Sequence, residues 1–175
     1  MRLLRKIALG LAAFVALILI IGLLLPGHFS IARSITIKAK PEDIYAKLDD
    51  PKAWRGWSVW TLRDPAMKIV YSGPDRGVGA HWSWQSKTEG NGEMTFTASD
   101  PGKLLTYRLG FPDFGMVSTG VLKLEPSADG VKVTWTNEGD MGHNPLNRYM
   151  GLCMDRMVGP DFQVGLTNLK QALEH

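Results

Sequence analysis

Residues 116–138 read MVSTGVLKLEPSADGVKVTWTNE, two segments of alternating apolar and polar residues joined by Asp129-Gly130. A period of two predicts strands over Met116–Glu125 and Val131–Glu138, and Asp-Gly is a favoured hairpin connection. Four similar segments precede this hairpin, with turn residues between each pair: Met67–Tyr71, Ala80–Lys87, Glu93–Ser99 and Lys103–Leu109. We therefore predict an antiparallel meander of six strands.

Upstream of the meander, the sequence predicts one more strand and two short helices. Phe29–Lys38 alternates around three isoleucines and is typical of a strand. Pro41 suits the first turn of a helix, and the acidic Glu42 and Asp43 that follow favour its positive end. A second helical turn is predicted over Lys52–Arg55.

Downstream of the meander, the period changes to 3.6 after Asn144-Pro145, which predicts a long closing helix. Gly159-Pro160 is expected to kink or briefly break that helix, because Pro160 has no N–H to donate. We assign its apolar residues to one stripe: Leu146, Met150, Cys153 with Met154, Met157, Phe162, Leu166, Leu169 and Leu173. The predicted fold class is α+β, a curved antiparallel sheet wrapped around the long C-terminal helix.

The N-terminal segment Ile7–Leu25 holds nineteen residues without a charge, within the range of about 17 to 25 that spans a bilayer as a helix. A retained transmembrane signal anchor is our first interpretation, a cleaved signal peptide the second and a buried soluble helix the third. Arg2, Arg5 and Lys6 precede the span, so the N-terminus is expected in the cytoplasm. The rest would then face the periplasm or cell exterior, from a single-pass protein of the cytoplasmic membrane.

The composition limits the other classes of function. The chain has 175 residues, which allows a tag and anchor over residues 1–26 and one domain over residues 27–175. Its net charge of +3 comes from the three basic residues before the span, so the domain is neutral and we predict no nucleic-acid partner. Cys153 is the single cysteine and is interpreted as a core thiol.

The domain resembles the START-like helix-grip (SRPBCC) superfamily, in particular its polyketide cyclase/dehydrase and lipid-transport group. The resemblance covers nearly all of residues 29–175 and rests on the opening strand and three motifs. They are Ala39-Lys40-Pro41-Glu42-Asp43-Ile44-Tyr45, Leu48-Asp49-Asp50 with Trp54–Ser58, and Gly159-Pro160-Asp161-Phe162 with Gly165-Leu166 and Asn168-Leu169-Lys170. It implies a deep apolar cavity between the sheet and the last helix, which holds lipids, polyketides or other hydrophobic small molecules.

Aromatic and methionine side chains are the candidates for lining that cavity. Those predicted to do so are Trp57, Trp82, Trp84, Met94, Phe96, Tyr107, Trp135, Met150, Met154 and Phe162. The alternative is that they simply fill the core. Trp54, Trp57 and Trp60 could form a cavity lid or a membrane-interface surface, or could cap the open end of the sheet.

Few polar residues are candidates for chemistry. Glu138 and Asp140 are the candidate catalytic acids or bases, while His81 and Arg108 are expected to face solvent. Asp140 and His143 offer two metal ligands where about three are needed. The sequence carries none of the common catalytic signatures, and we predict no metal and no cofactor.

These observations predict a membrane-anchored protein that holds a hydrophobic small molecule or lipid. An enzyme of the cyclase/dehydrase type, using the same cavity with a single acid or base, is the alternative. A third interpretation is a docking module that presents Trp54, Trp57 and Trp60 to another envelope protein. The sequence identifies no protein partner.

Overall fold

The alternating segments form a single antiparallel sheet in the computed structural model, which describes residues 2–175. Seven strands lie in the order β1-β7-β6-β5-β4-β3-β2, so the first strand pairs with the last. Their bounds are β1 His28–Ile37, β2 Lys68–Ser72, β3 His81–Gln85, β4 Gly92–Asp100, β5 Leu104–Phe111, β6 Met116–Ser127 and β7 Gly130–Asp140. The predicted meander is confirmed, and the first strand extends it at β7.

Four α-helices accompany the sheet: α1 Arg2–Leu24, α2 Pro41–Leu48, α3 Val59–Arg63 and α4 Pro145–Glu174. Short 3₁₀ turns occur at Ala53–Gly56 and Pro112–Phe114. The predicted helix at Pro41 is confirmed as α2, with Ile44, Tyr45 and Leu48 buried. Within residues 2–175, α1 is the one helix long and apolar enough to cross a membrane.

The start of β1 lies at one end of the sheet, together with the ends of several other strands. His28 pairs with Asp140, Phe111 pairs with Met116, and the β3–β4 connection follows at the same end because every strand pair is antiparallel. We call this the α1 edge, since α1 ends at Leu24, four residues before β1 begins.

Helix α4 crosses the concave face of the sheet and is continuous through Pro160. We predicted a kink or short break there; there is no break, because one missing donor removes only one hydrogen bond and packing on both sides holds the turn. Gly159 is buried against Arg33, whose guanidinium occupies the space of a side chain. Three residues after Gly159, Phe162 stacks on Trp135 at a centroid distance of 4.1 Å.

The single apolar stripe predicted for α4 is wrong, because the helix has two apolar faces. Phe162, Leu166 and Leu169 are buried against the sheet, whereas Leu146, Met150 and Met157 are 57%, 50% and 61% exposed. Met157 and Phe162 are five residues apart, which turns a helix about 140° beyond one full turn. The predicted core thiol Cys153 lies on the outer face and is exposed, so that prediction is also wrong.

Candidate ligand-binding pocket

A pocket of about 130 Å³ lies between the sheet and the segment of the 3₁₀ turn and α3. Its apolar wall consists of Pro51, Trp54, Trp60, Met67, Ile69, Trp82, Trp84, Met94, Leu109 and Phe111. Phe111 at the end of β5 and Met67 just before β2 place one end of the pocket at the α1 edge. The volume resembles that of an engineered cavity of about 150 Å³ that binds benzene.

Five polar residues complete the lining: Arg55, Ser58, Thr61, Tyr71 and Glu89. The Tyr71 Oη atom is buried and makes no hydrogen bond of standard geometry among residues 2–175, although the Arg55 side chain approaches it. Burial raises the pKa of Tyr71, an effect that the nearby charge of Arg55 partly offsets. The hydroxyl therefore stays protonated at neutral pH and can donate a hydrogen bond to a ligand.

An ion-pair network closes the pocket beside Glu89. Arg63 on α3 bonds to Glu89 at 3.1 Å and to Asp161 on α4 at 2.5 Å. The Glu89 side chain is only 9% exposed, whereas that of Arg63 is 46% exposed. The network thus connects the β3–β4 connection and α3 to the long helix. The Glu89 carboxylate that lines the pocket is therefore paired with the Arg63 cation.

Ten residues are predicted to line a cavity, and three of them border this pocket: Trp82, Trp84 and Met94. Five others, namely Trp57, Phe96, Tyr107, Trp135 and Phe162, lie in the packed core outside the pocket lining. Their rings fill the interior between the sheet and α4, with Trp135 between Trp57 at 5.4 Å and Phe162 at 4.1 Å. These five residues belong to the buried core cluster.

The predictions for the two α4 methionines do not match the structure either. Met150 is 50% exposed on the outer face of α4, which points away from the sheet. Met154 is half-buried and packs against the core without reaching the pocket. Met150 lies on the same outer face as Met157, and no residue of α4 lines the pocket.

The three loop tryptophans are structural rather than a docking surface. Trp54 and Trp57 are buried, and their indole nitrogens donate to the carbonyls of Leu48 at 2.7 Å and Lys47 at 3.3 Å. Trp60 is half-buried, and its ring lies 6.0 Å from that of Trp135. Trp54 and Trp60 also line the pocket, so the interpretation as an exposed tryptophan surface is wrong.

The candidate catalytic acids lie outside the pocket. Glu138 is exposed and accepts a hydrogen bond from Ser30 at 3.2 Å, and Asp140 accepts one from the Gly142 backbone N–H at 2.6 Å. Neither carboxylate lines the pocket. As predicted, Arg108 is an exposed strand residue, which pairs with Glu93.

Neither His81 nor His143 lines the pocket beneath α3. His81 lies on the outer face of β3, half-buried, with its ring Nδ1 2.8 Å from the Thr95 hydroxyl. His143 is exposed. Residues 2–175 contain no group of three or more His, Cys, Asp or Glu arranged to hold a metal ion.

Sequence reasoning missed the polar side of the pocket. Tyr71 shares a face of β2 with Ile69, so its inward direction could have been inferred from the period of two. Glu89 lies in the β3–β4 connection and Arg55 in the 3₁₀ turn Ala53–Gly56, and both segments are too short for a periodicity to indicate the direction of a side chain. These two side chains reach the pocket only after their segments have folded over the sheet.

The curved antiparallel sheet packed around the long C-terminal helix defines a helix-grip domain. The pocket lies under α3 and not between the sheet and α4, as the resemblance had implied. Residues 28–174 match the family model described as polyketide cyclase / dehydrase and lipid transport. The chain belongs to that family. No curated protein matches it.

Several solved structures share the fold. The solution structure of the Aha1 dimer from Colwellia psychrerythraea is 24% identical with a TM-score of 0.58, over 83% of this chain and 96% of that one. Protein CV1439 from Chromobacterium violaceum is 20% identical with a TM-score of 0.58, over 84% and 99%. The di-domain ARO/CYC StfQ from the steffimycin biosynthetic pathway is 15% identical with a TM-score of 0.63, over 84% and 51%.

Proposed function

We propose that this protein is a membrane-anchored binding protein that holds a hydrophobic small molecule or lipid in the pocket beneath α3. The observation that carries the proposal is an apolar pocket whose wall contains one buried, unpartnered hydroxyl, that of Tyr71. Burying a polar group without a partner is costly. A ligand oxygen that accepts from Tyr71 removes that cost.

The size of the pocket limits the bound part of the ligand. Its volume of about 130 Å³ is below the roughly 300–1,000 Å³ typical of pockets for drug-sized ligands. The pocket as it stands therefore takes one ring or the end of an apolar chain. Each methylene buried there contributes about 0.8 kcal/mol, and Tyr71 fixes the orientation.

The anchor gives the pocket access to ligands of the bilayer. We infer that α1 is retained as a transmembrane helix, with Arg2, Arg5 and Lys6 on the cytoplasmic side and the domain on the outer side. Support for retention comes from its side-chain contacts with α4, described below. Because one end of the pocket lies at the α1 edge, tethering raises the local concentration of membrane-derived ligands.

Extraction of co-purified ligand tests this proposal. The full chain is purified in nanodiscs from its own membrane, and the solvent-extracted molecules are identified by mass spectrometry. Wild type is compared with Met94→Trp, which fills the pocket, and with Val70→Trp, whose site is 66% exposed. If Met94→Trp fails to fold, Leu109→Phe replaces it.

We expect one apolar molecule to be present with wild type and Val70→Trp and depleted in the pocket variant. Identical extracts from all three proteins would contradict the proposal. The cyclase/dehydrase alternative gains no support from the pocket, since Glu138 and Asp140 do not line it.

A further inference from the structure

The outer face of α4 carries an exposed apolar stripe that packs against nothing in the domain. Leu146, Met150, Cys153 and Met157 follow one another at intervals of four, three and four residues, which places them on one side of a helix. All four are exposed. We call these four residues the α4 stripe.

Helix α1 packs directly beside this stripe. Gly22 is the one buried residue of α1, and a Cβ atom there would lie 2.7 Å from the Pro145 side chain and 2.9 Å from the Tyr149 ring. The Tyr149 hydroxyl donates to the Ile18 carbonyl at 2.8 Å. Gly22 therefore permits a close crossing between the two helices.

Arg148 fastens the end of α1 to the same turn of α4. Its Nη1 donates to the carbonyls of Leu23 at 2.6 Å and Leu25 at 3.1 Å, and its Nε donates to the Gly142 carbonyl at 3.0 Å. The last carbonyls of a helix have no partner within the helix and carry its negative dipole end. The Arg148 guanidinium donates hydrogen bonds to these carbonyls and places a positive charge at the negative end of the helix dipole.

These contacts set the depth of α4 relative to α1. Ile18 precedes Leu24 by six residues, which corresponds to about 9 Å along the helix axis. If α1 spans the bilayer as proposed above, the Tyr149 hydroxyl meets it about 9 Å inward from the outer end of the span. The first turns of α4 must then lie at the same level as the outer end of the span.

We propose that residues 145–157 of α4 lie in the outer membrane interface, with the α4 stripe in contact with lipid. Contact with α1 through Gly22, Tyr149 and Arg148 turns the anchor and the start of α4 into one unit, which holds the domain on the bilayer in a fixed orientation. Exposed apolar residues at helical spacing are typical of interfacial helices. The inference rests on the proposed anchoring, and a bilayer surface is the occupant of the stripe.

The natural thiol of Cys153 allows a direct test in the full chain. Cys153 is labelled with an environment-sensitive fluorophore in phosphatidylcholine nanodiscs, and quenching is measured with nitroxide-labelled lipids and with aqueous iodide. The control carries the label at the other end of α4, in Cys153→Ser/Gln171→Cys, where Gln171 is exposed. We expect lipid quenching and iodide protection at position 153, and the reverse at 171.

A second variant separates docking from anchoring. Gly22→Leu keeps α1 apolar but forces it away from Pro145 and Tyr149. We expect this variant to stay in the membrane fraction after alkaline carbonate washing, while the Cys153 label loses lipid quenching down to the level of the Gln171 control.

Two results would overturn the inference, and each differs from failure of the anchor. Iodide quenching at 153 in a chain that resists carbonate extraction leaves the anchor in place and refutes the lipid contact. Protection from both quenchers, together with energy transfer between labelled copies, would assign the stripe to a second copy of the chain. Release of wild type by carbonate would refute the anchor and the lipid contact together, whereas ligand extraction reports on the pocket independently.

Discussion

The indole nitrogen of Trp135 donates a hydrogen bond of 2.7 Å to the hydroxyl of Tyr107, and both side chains are buried. This pair belongs to the filled part of the core. The pocket lies beside this filled part, over strands β2–β5 and under α3.

Gly120 allows Tyr107 to lie flat across β6, because a side chain at this position would overlap the Tyr107 ring. We expect Gly120→Ala to lower the free energy of unfolding by about 1–3 kcal/mol, the usual cost of overpacking. Thermal unfolding followed by circular dichroism measures the loss. Gly56→Ala, where a Cβ meets nothing within 4 Å, serves as the matched control and is expected to change stability by less than about 0.5 kcal/mol.

Alkaline pH should weaken the fold through Tyr107. Burial raises the pKa of this tyrosine from 10.0 to about 12. A raised folded-state pKa means that the stabilisation is complete below pH 10 and is lost as pH rises from 10 to 12, by roughly 3 kcal/mol at about 1.4 kcal/mol per pH unit. Denaturant titrations by circular dichroism at several alkaline pH values, compared with Tyr107→Phe, measure this slope. An equal slope in the variant would assign it to other groups.

Tyr71→Phe removes the unpartnered hydroxyl of the pocket without changing the apolar volume. The ligand-free protein should keep or slightly gain stability, because a buried hydroxyl without a partner is unfavourable. Affinity for a fatty acid, measured by displacement of a fluorescent analogue, should fall by roughly tenfold, corresponding to about 1.4 kcal/mol. A hydrocarbon without oxygen should bind both proteins equally. Equal fatty-acid affinity would mean that Tyr71 makes no contact with the ligand.

The Arg63 network should control how fast the pocket exchanges its ligand. Arg63→Met leaves the nearly buried Glu89 without its cation and frees α3 from Asp161. We expect ligand release to become several-fold faster with a stability loss of about 1 kcal/mol, since Arg63 is 46% exposed and the pairs are partly screened. Stopped-flow displacement gives the rate. Lys123→Met, which breaks the exposed pair with Glu125 outside the pocket, should leave release unchanged.

The strands, α2 and the order of elements could be predicted from the sequence, because a period of two and turn residues depend on local chemistry alone. Periodicity also indicated that Trp82, Trp84, Met94, Phe96 and Trp135 face inward. It could not separate pocket from packed core, because that depends on how much of the interior Trp57 and Phe162 occupy after folding.

The errors on α4 have a simpler origin. Met157 and Phe162 are separated by five residues, a step that changes the face of a helix. The apolar residues of the outer face, including Cys153, therefore belong to a second face and not to the core. The polar residues Arg55 and Glu89 lie in a short 3₁₀ turn and in a connection, and only the folded chain brings them to the pocket.

Photolabelling determines whether the pocket beneath α3 holds the ligand, as we propose. The full chain in phosphatidylcholine nanodiscs is irradiated with a fatty acid that carries a diazirine near its carboxyl group, and labelled residues are mapped by mass spectrometry. We predict saturable labelling of residues 82–94 and of Tyr71, which excess unlabelled fatty acid removes and Met94→Trp abolishes. Labelling confined to α1 and the α4 stripe, and insensitive to competitor, would contradict the claim.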